Sequence, residues 1–415
     1  MITETDHDSI LGMRSRWKFW VALAISFFFV TLARSSVSIR HLPPDPGLEF
    51  QILAKTDGLA KVFHSYNGYP QVLPRLISEI LNLSPLSQLT YWSTLVNTGI
   101  TTVCAIAVIK AVRELVGMKT AILVGLVLAI PFAAHEGLVG NLWAIRWILL
   151  PATCIFASIP AFSQKHWRFT LLIFLITGLS HAYIFIPTGT YLLHAYLRRD
   201  FRKRTVLLGL TLVILTAFQG FGYLSSSRQL QLYTDSTVYW PWAGSGVFWW
   251  SVFAIPMVFA LVAFLPNLKF KRVLRQSFTP QSSIAIQAIL LSIISYIQLG
   301  VKSSPAVATV TVSYAAIMVA FNTSNSLATK FKVDWFVKLF CSLLLLVLSV
   351  RFYFPSYFLT NGTGWPKTVT AASVQCQSSD LDSAKLTVFE IRELVQSETI
   401  PCDSLENWDL WFFQR

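Results

Sequence analysis

Apolar runs of membrane-crossing length, separated by short polar clusters, recur along most of the chain. Hydrocarbon about 30 Å thick is crossed by about 20 helical residues rising about 1.5 Å each. On that measure the pattern predicts spans near 17–34, 87–109, 119–134, 142–162, 168–181, 183–197, 205–223, 246–265, 283–300, 306–322 and 336–353. The stretch 168–197 is interrupted by Gly178, His181 and Pro187, and reads as one kinked helix or as two short ones. Two preserve the charge alternation downstream and are preferred. The first run follows Arg14, Arg16 and Lys18 and has no small-residue cleavage site ahead of Arg34, so it reads as a retained helix.

Two segments are too long to be simple connectors: 35–86, after the first span, and the tail 354–415. The expected organisation is a transmembrane domain over 1–353 that includes the 35–86 loop, and a small domain over 354–415. In the loop, Leu73, Leu76, Ile77, Ile80 and Leu81 match the i, i+3, i+4, i+7, i+8 template of an amphipathic helix lying on the membrane surface or on the bundle. Before it, Tyr66-Asn67-Gly68-Tyr69-Pro70 is a turn signal with aromatic flanks. Tyr66 and Tyr69 read either as a sugar-stacking pair or as interface anchors. In the tail, Lys385–Ile391 alternates like a strand, and Trp408, Trp411, Phe412 and Phe413 suit a membrane interface.

Composition strengthens this picture. The 415 residues are 54% hydrophobic and 13% charged, about half the charge of an ordinary soluble domain. The formal net charge of +13 sits in short clusters between apolar runs, so it reads as topology signal and predicts membrane lipids, and no nucleic acid, as partners. Clusters at Arg14–Lys18, Lys110–Lys119, Lys165–Arg168, Arg198–Arg204, Lys269–Arg275 and Lys330–Lys338 fall on alternate loops. Retention of Lys and Arg inside predicts a cytoplasmic N-terminus, with 35–86 and the C-terminal tail extracytoplasmic. Cys104, Cys154 and Cys341 fall within spans and read as small apolar residues. Cys376 and Cys402, in the polar tail, are expected to form a disulfide in an oxidising compartment. Such a closure is worth roughly 3 kcal/mol in the chain-entropy model, and so small a tail needs a staple of that kind.

Candidate chemistry concentrates in the outward loops. A hydroxyl acceptor needs a base and a leaving phosphate needs positive charge. Asp45, held among Pro43, Pro44 and Pro46 and four residues from Glu49, is the base candidate. The competing reading is a cap or first-turn carboxylate of the segment starting near Gly47. Asp57 and Glu49 are further acidic candidates. Arg75 follows Pro74, and Arg146 lies near the outer end of the fourth span. An arginine at membrane depth is costly and points to function. Arg146 either grips a lipid phosphate or pairs with Glu136. His135, Glu136, Asn141 and Trp143 form a second outward patch. His41, His64, Asp45 and Glu49 offer oxygen and nitrogen ligands to a divalent metal ion, though without a dedicated motif. Walker A, GxGxxG, HExxH and GxSxG motifs are absent from the sequence, which removes support for soluble nucleotide-driven mechanisms.

The run Gly47, Phe50, Gly68-Tyr69 and Pro74-Arg75-Leu76 resembles a bacterial multispanning family in which an E-D-G-x-x-F element precedes a G-Y-x-x-x-x-P-R-L element at this spacing. Glu136, Asn141 and Trp143 resemble its second outward patch, and the paired cysteines with Ile400-Pro401-Cys402 resemble its C-terminal domain. Asp45 stands at the first acid of the E-D-G element and Pro46 at the second. The family is similar in layout to GT-C-type integral membrane glycosyltransferases. The resemblance implies a bacterial plasma-membrane enzyme moving a sugar from a polyprenyl-phosphate donor to an envelope glycan or glycolipid acceptor. Asp45 would act as base, assisted by Glu49 or Asp57. Arg75 and Arg146 would hold phosphate, and Tyr66, Tyr69, Glu136, Asn141 and Trp143 would line the substrate site. Two other readings stay open: a transporter or flippase of a lipid-linked or small polar substrate, and a non-enzymatic envelope scaffold.

Overall fold

The computed structural model describes residues 4–36, 62–63, 65–66, 69–130, 142, 145–224, 279–298, 312, 315, 364–378, 382–391 and 394–402. The predicted spans at 246–265 and 336–353, and nearly all of 306–322, lie outside them. Among the described residues three helical stretches are long and apolar enough to cross a membrane: Trp17–Arg34, Leu86–Ala129 and Lys203–Gly222. The first belongs to α1 (Glu4–Arg34), whose helical backbone starts well before the predicted apolar run.

A hairpin and a short helix lie between the first two. β1 (Ser65–Tyr66) pairs antiparallel with β2 (Tyr69–Pro70), with Tyr66 opposite Tyr69, as the turn signal predicts. α2 (Val72–Leu81) follows. Next, α3 (Leu89–Ala129) is broken at Gly117, whose φ of 77° suits a residue without a side chain. A straight helix would hold residues 109 and 125 about 24 Å apart, yet a Cβ added to Gly125 would stand 2.5 Å from Ile109 Cδ1. The chain therefore folds back at Gly117, and the two halves of α3 correspond to the spans predicted at 87–109 and 119–134.

α4 (Ile145–Ser158) contains Pro151, and α5 (Pro160–Lys165) restarts the helix with a proline in its first turn, where the missing N–H is harmless. α6 (Trp167–Gly178), α7 (Phe185–Arg198) and α8 (Lys203–Leu224) complete this group. Gln164, just before α6, donates to Asp200 and to Thr205 at 2.9 Å. At the far end of α6, Gly178 O accepts from Gln219 Nε2 of α8 at 2.7 Å. The Thr188 and Thr216 hydroxyls of α7 and α8 meet at 2.8 Å. These contacts make α6 and α7 two antiparallel helices joined by a reversal, with a 3-10 turn at Ala182–Ile184, rather than one kinked helix.

Small polar residues hold the buried faces together. Thr153 of α4 meets Thr177 of α6 at 2.8 Å. α9 (Pro280–Gln298) joins α4 through Gln287 Nε2, which donates to Cys154 O at 2.9 Å and to Ser158 Oγ at 2.6 Å. Each such bond contributes about 1 kcal/mol in an apolar surround.

The two ends of the bundle differ in charge. At one, the Lys110 and Arg113 cations sit 5.6 and 5.0 Å from the centre of the Trp20 ring. His166, at the α5–α6 turn, has its pKa lowered by burial first and then by Lys110 and Lys165. Gln164 brings the exposed Arg198–Arg204 turn to the same end. The opposite end carries α2 and the tail.

In the tail, α10 (Trp365–Ser378) precedes an antiparallel hairpin of β3 (Ser383–Ile391) and β4 (Leu394–Pro401), with Ser383 opposite Pro401. Cys376 and Cys402 form the expected disulfide, which ties α10 to the end of β4. The buried Trp365 indole donates to Leu86 O at 2.8 Å. The tail and the segment that carries α2 therefore share one side of the bundle.

α6 and α8 pack tightly at Gly178. A Cβ there would lie 2.6 to 2.9 Å from Cδ1, Cβ and Cγ of Leu215, and the Leu215 Cβ moves only if its helix moves. Gly178→Ala is expected to destabilise the protein by about 1–3 kcal/mol, read as a thermal unfolding midpoint lowered by several degrees. An unchanged midpoint would contradict this packing.

Candidate functional site

The site is built around the start of α2. A helix leaves its first N–H groups without intrahelical acceptors, and here the neighbouring reversal supplies them. Val72 N–H donates to Leu179 O at 3.1 Å, and Leu73 N–H donates to Ser180 Oγ at 3.0 Å. Pro74 has no N–H to satisfy, and Arg75 N–H returns to Gln71 O at 3.3 Å. From the other side, Gln219 Nε2 of α8 donates to Pro70 O at 3.3 Å as well as to Gly178 O. α2 is thus pinned to α6, α8 and the reversal between α6 and α7.

This docking chooses an unexpected face of α2. The predicted stripe is divided: Ile77 and Leu81 are buried, but Leu76 and Ile80 are 41% and 58% exposed. The buried side also takes in Arg75 and Ser78, with the Ser78 hydroxyl donating to Pro74 O at 3.0 Å. α2 packs on the bundle and turns apolar side chains outward at once, as suits a helix at a bilayer boundary. Partial burial raises the Glu79 carboxyl above its ordinary pKa.

Three guanidinium groups are buried towards this end: Arg34 at the close of α1, Arg75 of α2 and Arg146 in the first turn of α4, which are 5%, 4% and 2% exposed. Burying a charge is expensive unless other groups compensate it. Part of the compensation for Arg146 is the Trp147 ring, whose centre is 5.3 Å from its guanidinium carbon. Trp147 also meets His181 edge-on at 4.4 Å and Tyr183 at 6.0 Å. His181 Nδ1 accepts from Tyr183 N–H at 3.1 Å, and the Arg146 charge acts on the same imidazole.

Three further residues here occupy no specified position of any motif noted in the sequence. Gln71, His181 and Gln219 are all buried, and Gln71 Nε2 and Oε1, His181 Nε2 and Gln219 Oε1 meet no hydrogen-bond partner among the described residues. Leaving one such atom unsatisfied costs about 1–3 kcal/mol. The available signal was a polar side chain inside or beside an apolar run: Gln219 interrupts LVILTAFQGF, and His181 sits at the break after Gly178.

Of the residues expected from sequence, Arg75 and Arg146 come to the same end of the bundle, on helices that pack together. Tyr66 and Tyr69 are register partners in the β1–β2 pair. Asp45, Glu49, Asp57, Glu136, Asn141 and Trp143 lie outside the described residues, as do His41 and His64. Among the described residues, no group of three or more His, Cys, Asp or Glu side chains gathers as a metal site would.

Together these features define a helical protein with three membrane-length apolar helices among the described residues and a disulfide-closed tail. No protein-family model matches the chain, and no curated protein matches it.

Proposed function

We propose that this chain is an integral membrane glycosyltransferase of GT-C-like layout, moving a sugar from a polyprenyl-phosphate carrier to a cell-envelope glycan or glycolipid on the outer face of a bacterial plasma membrane. The observation that carries the reading is the burial of Arg75 and Arg146 at one end of an apolar bundle. Buried cations at that depth suit a phosphate at the head of a lipid better than any soluble ligand. The orientation draws support from the basic residues at the opposite end, which retention of Lys and Arg would hold in the cytoplasm.

In this reading Asp45 takes the proton of an acceptor hydroxyl, and the acceptor oxygen attacks the anomeric carbon. The bond from that carbon to the phosphate oxygen breaks, and the electron pair leaves with the phosphate. Arg75 and Arg146 stabilise the charge that develops there. Glu49 or Asp57 assists the base or holds a divalent metal ion.

Asp45→Asn tests the chemistry. Loss of general-base catalysis is expected to lower transfer by about 10²-fold or more, seen as loss of the modified species in envelope glycan profiles at equal protein level. Unchanged glycans would remove the mechanism.

A further inference from the structure

Among the described residues, Gln71, His181 and Gln219 carry unused hydrogen-bonding capacity whose sign the surrounding contacts define. Gln219 Nε2 donates to two carbonyls, of Pro70 and Gly178, which orients its amide and leaves Oε1 as a buried acceptor. Tyr183 N–H donates to His181 Nδ1, so the neutral ring carries its hydrogen on Nε2, a buried donor. Gln71 adds one group of each kind, whichever way its amide is turned.

The backbone draws the three residues together. Gln71 lies between Pro70, whose carbonyl takes Gln219, and Val72, whose amide binds Leu179. Leu73 N–H binds Ser180, the neighbour of His181. Arg75 is one helical turn beyond Gln71.

We infer that Gln71, His181 and Gln219 bind the hydroxyl-bearing, sugar portion of a ligand whose phosphate is held by Arg75 and Arg146. A second anion is disfavoured, because the free carboxamide oxygens would repel it. An alkyl chain would leave every one of these groups unpaired. A sugar hydroxyl both donates and accepts, and so matches a mixed set of this kind. The inference rests on the transferase reading and extends it to residues at no specified position of the motifs noted in the sequence.

The test uses the full-length protein in lipid nanodiscs, with farnesyl phosphate and its glucosyl, galactosyl and mannosyl phosphodiesters as probes. The wild type is expected to bind at least one hexosyl ester on the order of tenfold more tightly than farnesyl phosphate. Gln71→Leu, and His181→Asn, which keeps an acceptor for Tyr183 N–H, should each bring that ratio to within about twofold. Their affinity for farnesyl phosphate should not change. Because the Gln71 amide meets no partner among the described residues, ligand-free Gln71→Leu should unfold at the same or a higher temperature.

Esters that bind no better than farnesyl phosphate would overturn the sugar site alone, as would a ratio that survives both substitutions. A lower unfolding temperature of ligand-free Gln71→Leu with an intact ratio would mark Gln71 as the partner of a structural water and overturn its role. Failure of the wild type to bind any of the four probes would overturn the phosphate reading beneath it as well.

Discussion

Under the proposed transferase function, Arg146→Gln is expected to lower sugar transfer by about 10²–10³-fold while leaving the protein folded in the membrane. The magnitude follows from burial. A cation 2% exposed acts in a surround of low dielectric, where its effect on a departing phosphate is far larger than at a wet surface. Glutamine keeps an uncharged polar side chain, shorter than arginine, and removes the charge. Arg146→Lys should recover part of the rate, since it restores the charge without the planar fork that grips two oxygens of one phosphate. The measurement is transfer by isolated membranes, normalised to the amount of protein. A rate within a few fold of wild type for Arg146→Gln would remove this residue from the site and leave its burial to be explained by packing alone.

Trp365→Ala is expected to free the tail from the bundle. The indole is 1% exposed and its N–H is committed to Leu86 O. Truncating a buried tryptophan costs about 3–5 kcal/mol. That cost falls on the anchor between the tail and the segment that leads into α3. Within the tail, the disulfide and the β3–β4 ladder persist, so the tail should lift as one unit and not unravel. Limited proteolysis under non-reducing conditions is expected to release a disulfide-linked fragment from the variant on the order of 10²-fold faster than from wild type. Trp365→Phe, which keeps most of the ring and loses one hydrogen bond worth about 1 kcal/mol, should be cut only several-fold faster. Equal rates for wild type and Trp365→Ala would show that the tail is held elsewhere.

Elements specified by nearby residues were legible in the sequence. The apolar runs located α1, both halves of α3, and α6, α7 and α8, because hydrocarbon sets a minimum length on an exposed helix wherever it packs. Alternation over Lys385–Ile391 marked β3. The Tyr66–Pro70 signal marked the β1–β2 hairpin, and two cysteines in a polar tail marked the disulfide. Charge alternation favoured two helices over 168–197, and the contacts of Gln164 and Gln219 agree. Arg75 and Arg146 were legible as candidates for the same reason: a charge in an apolar run stands out.

The face of α2 was not legible. Its apolar stripe predicts one buried side, but the reversal after Gly178 offers acceptors to Val72 and Leu73 and so sets the rotation of the helix. That rotation buries Arg75 and leaves Leu76 and Ile80 outside. Gln71, His181 and Gln219 were missed because each is unremarkable alone. They acquire meaning only when residues from three distant stretches are brought to one junction.

The sequence alone determined that this chain enters a membrane, where many of its helices run and which two cysteines join, since length, apolarity and short-range pattern depend on the solvent and not on the partner. Tertiary structure alone decided which face of α2 is buried, how the tail is anchored, and which polar atoms near the buried arginines meet no hydrogen-bond partner among the described residues. Hydrogen bonds between residues more than a hundred positions apart, such as Gln219 to Pro70 and Trp365 to Leu86, made those choices, and linear spacing carries no record of them.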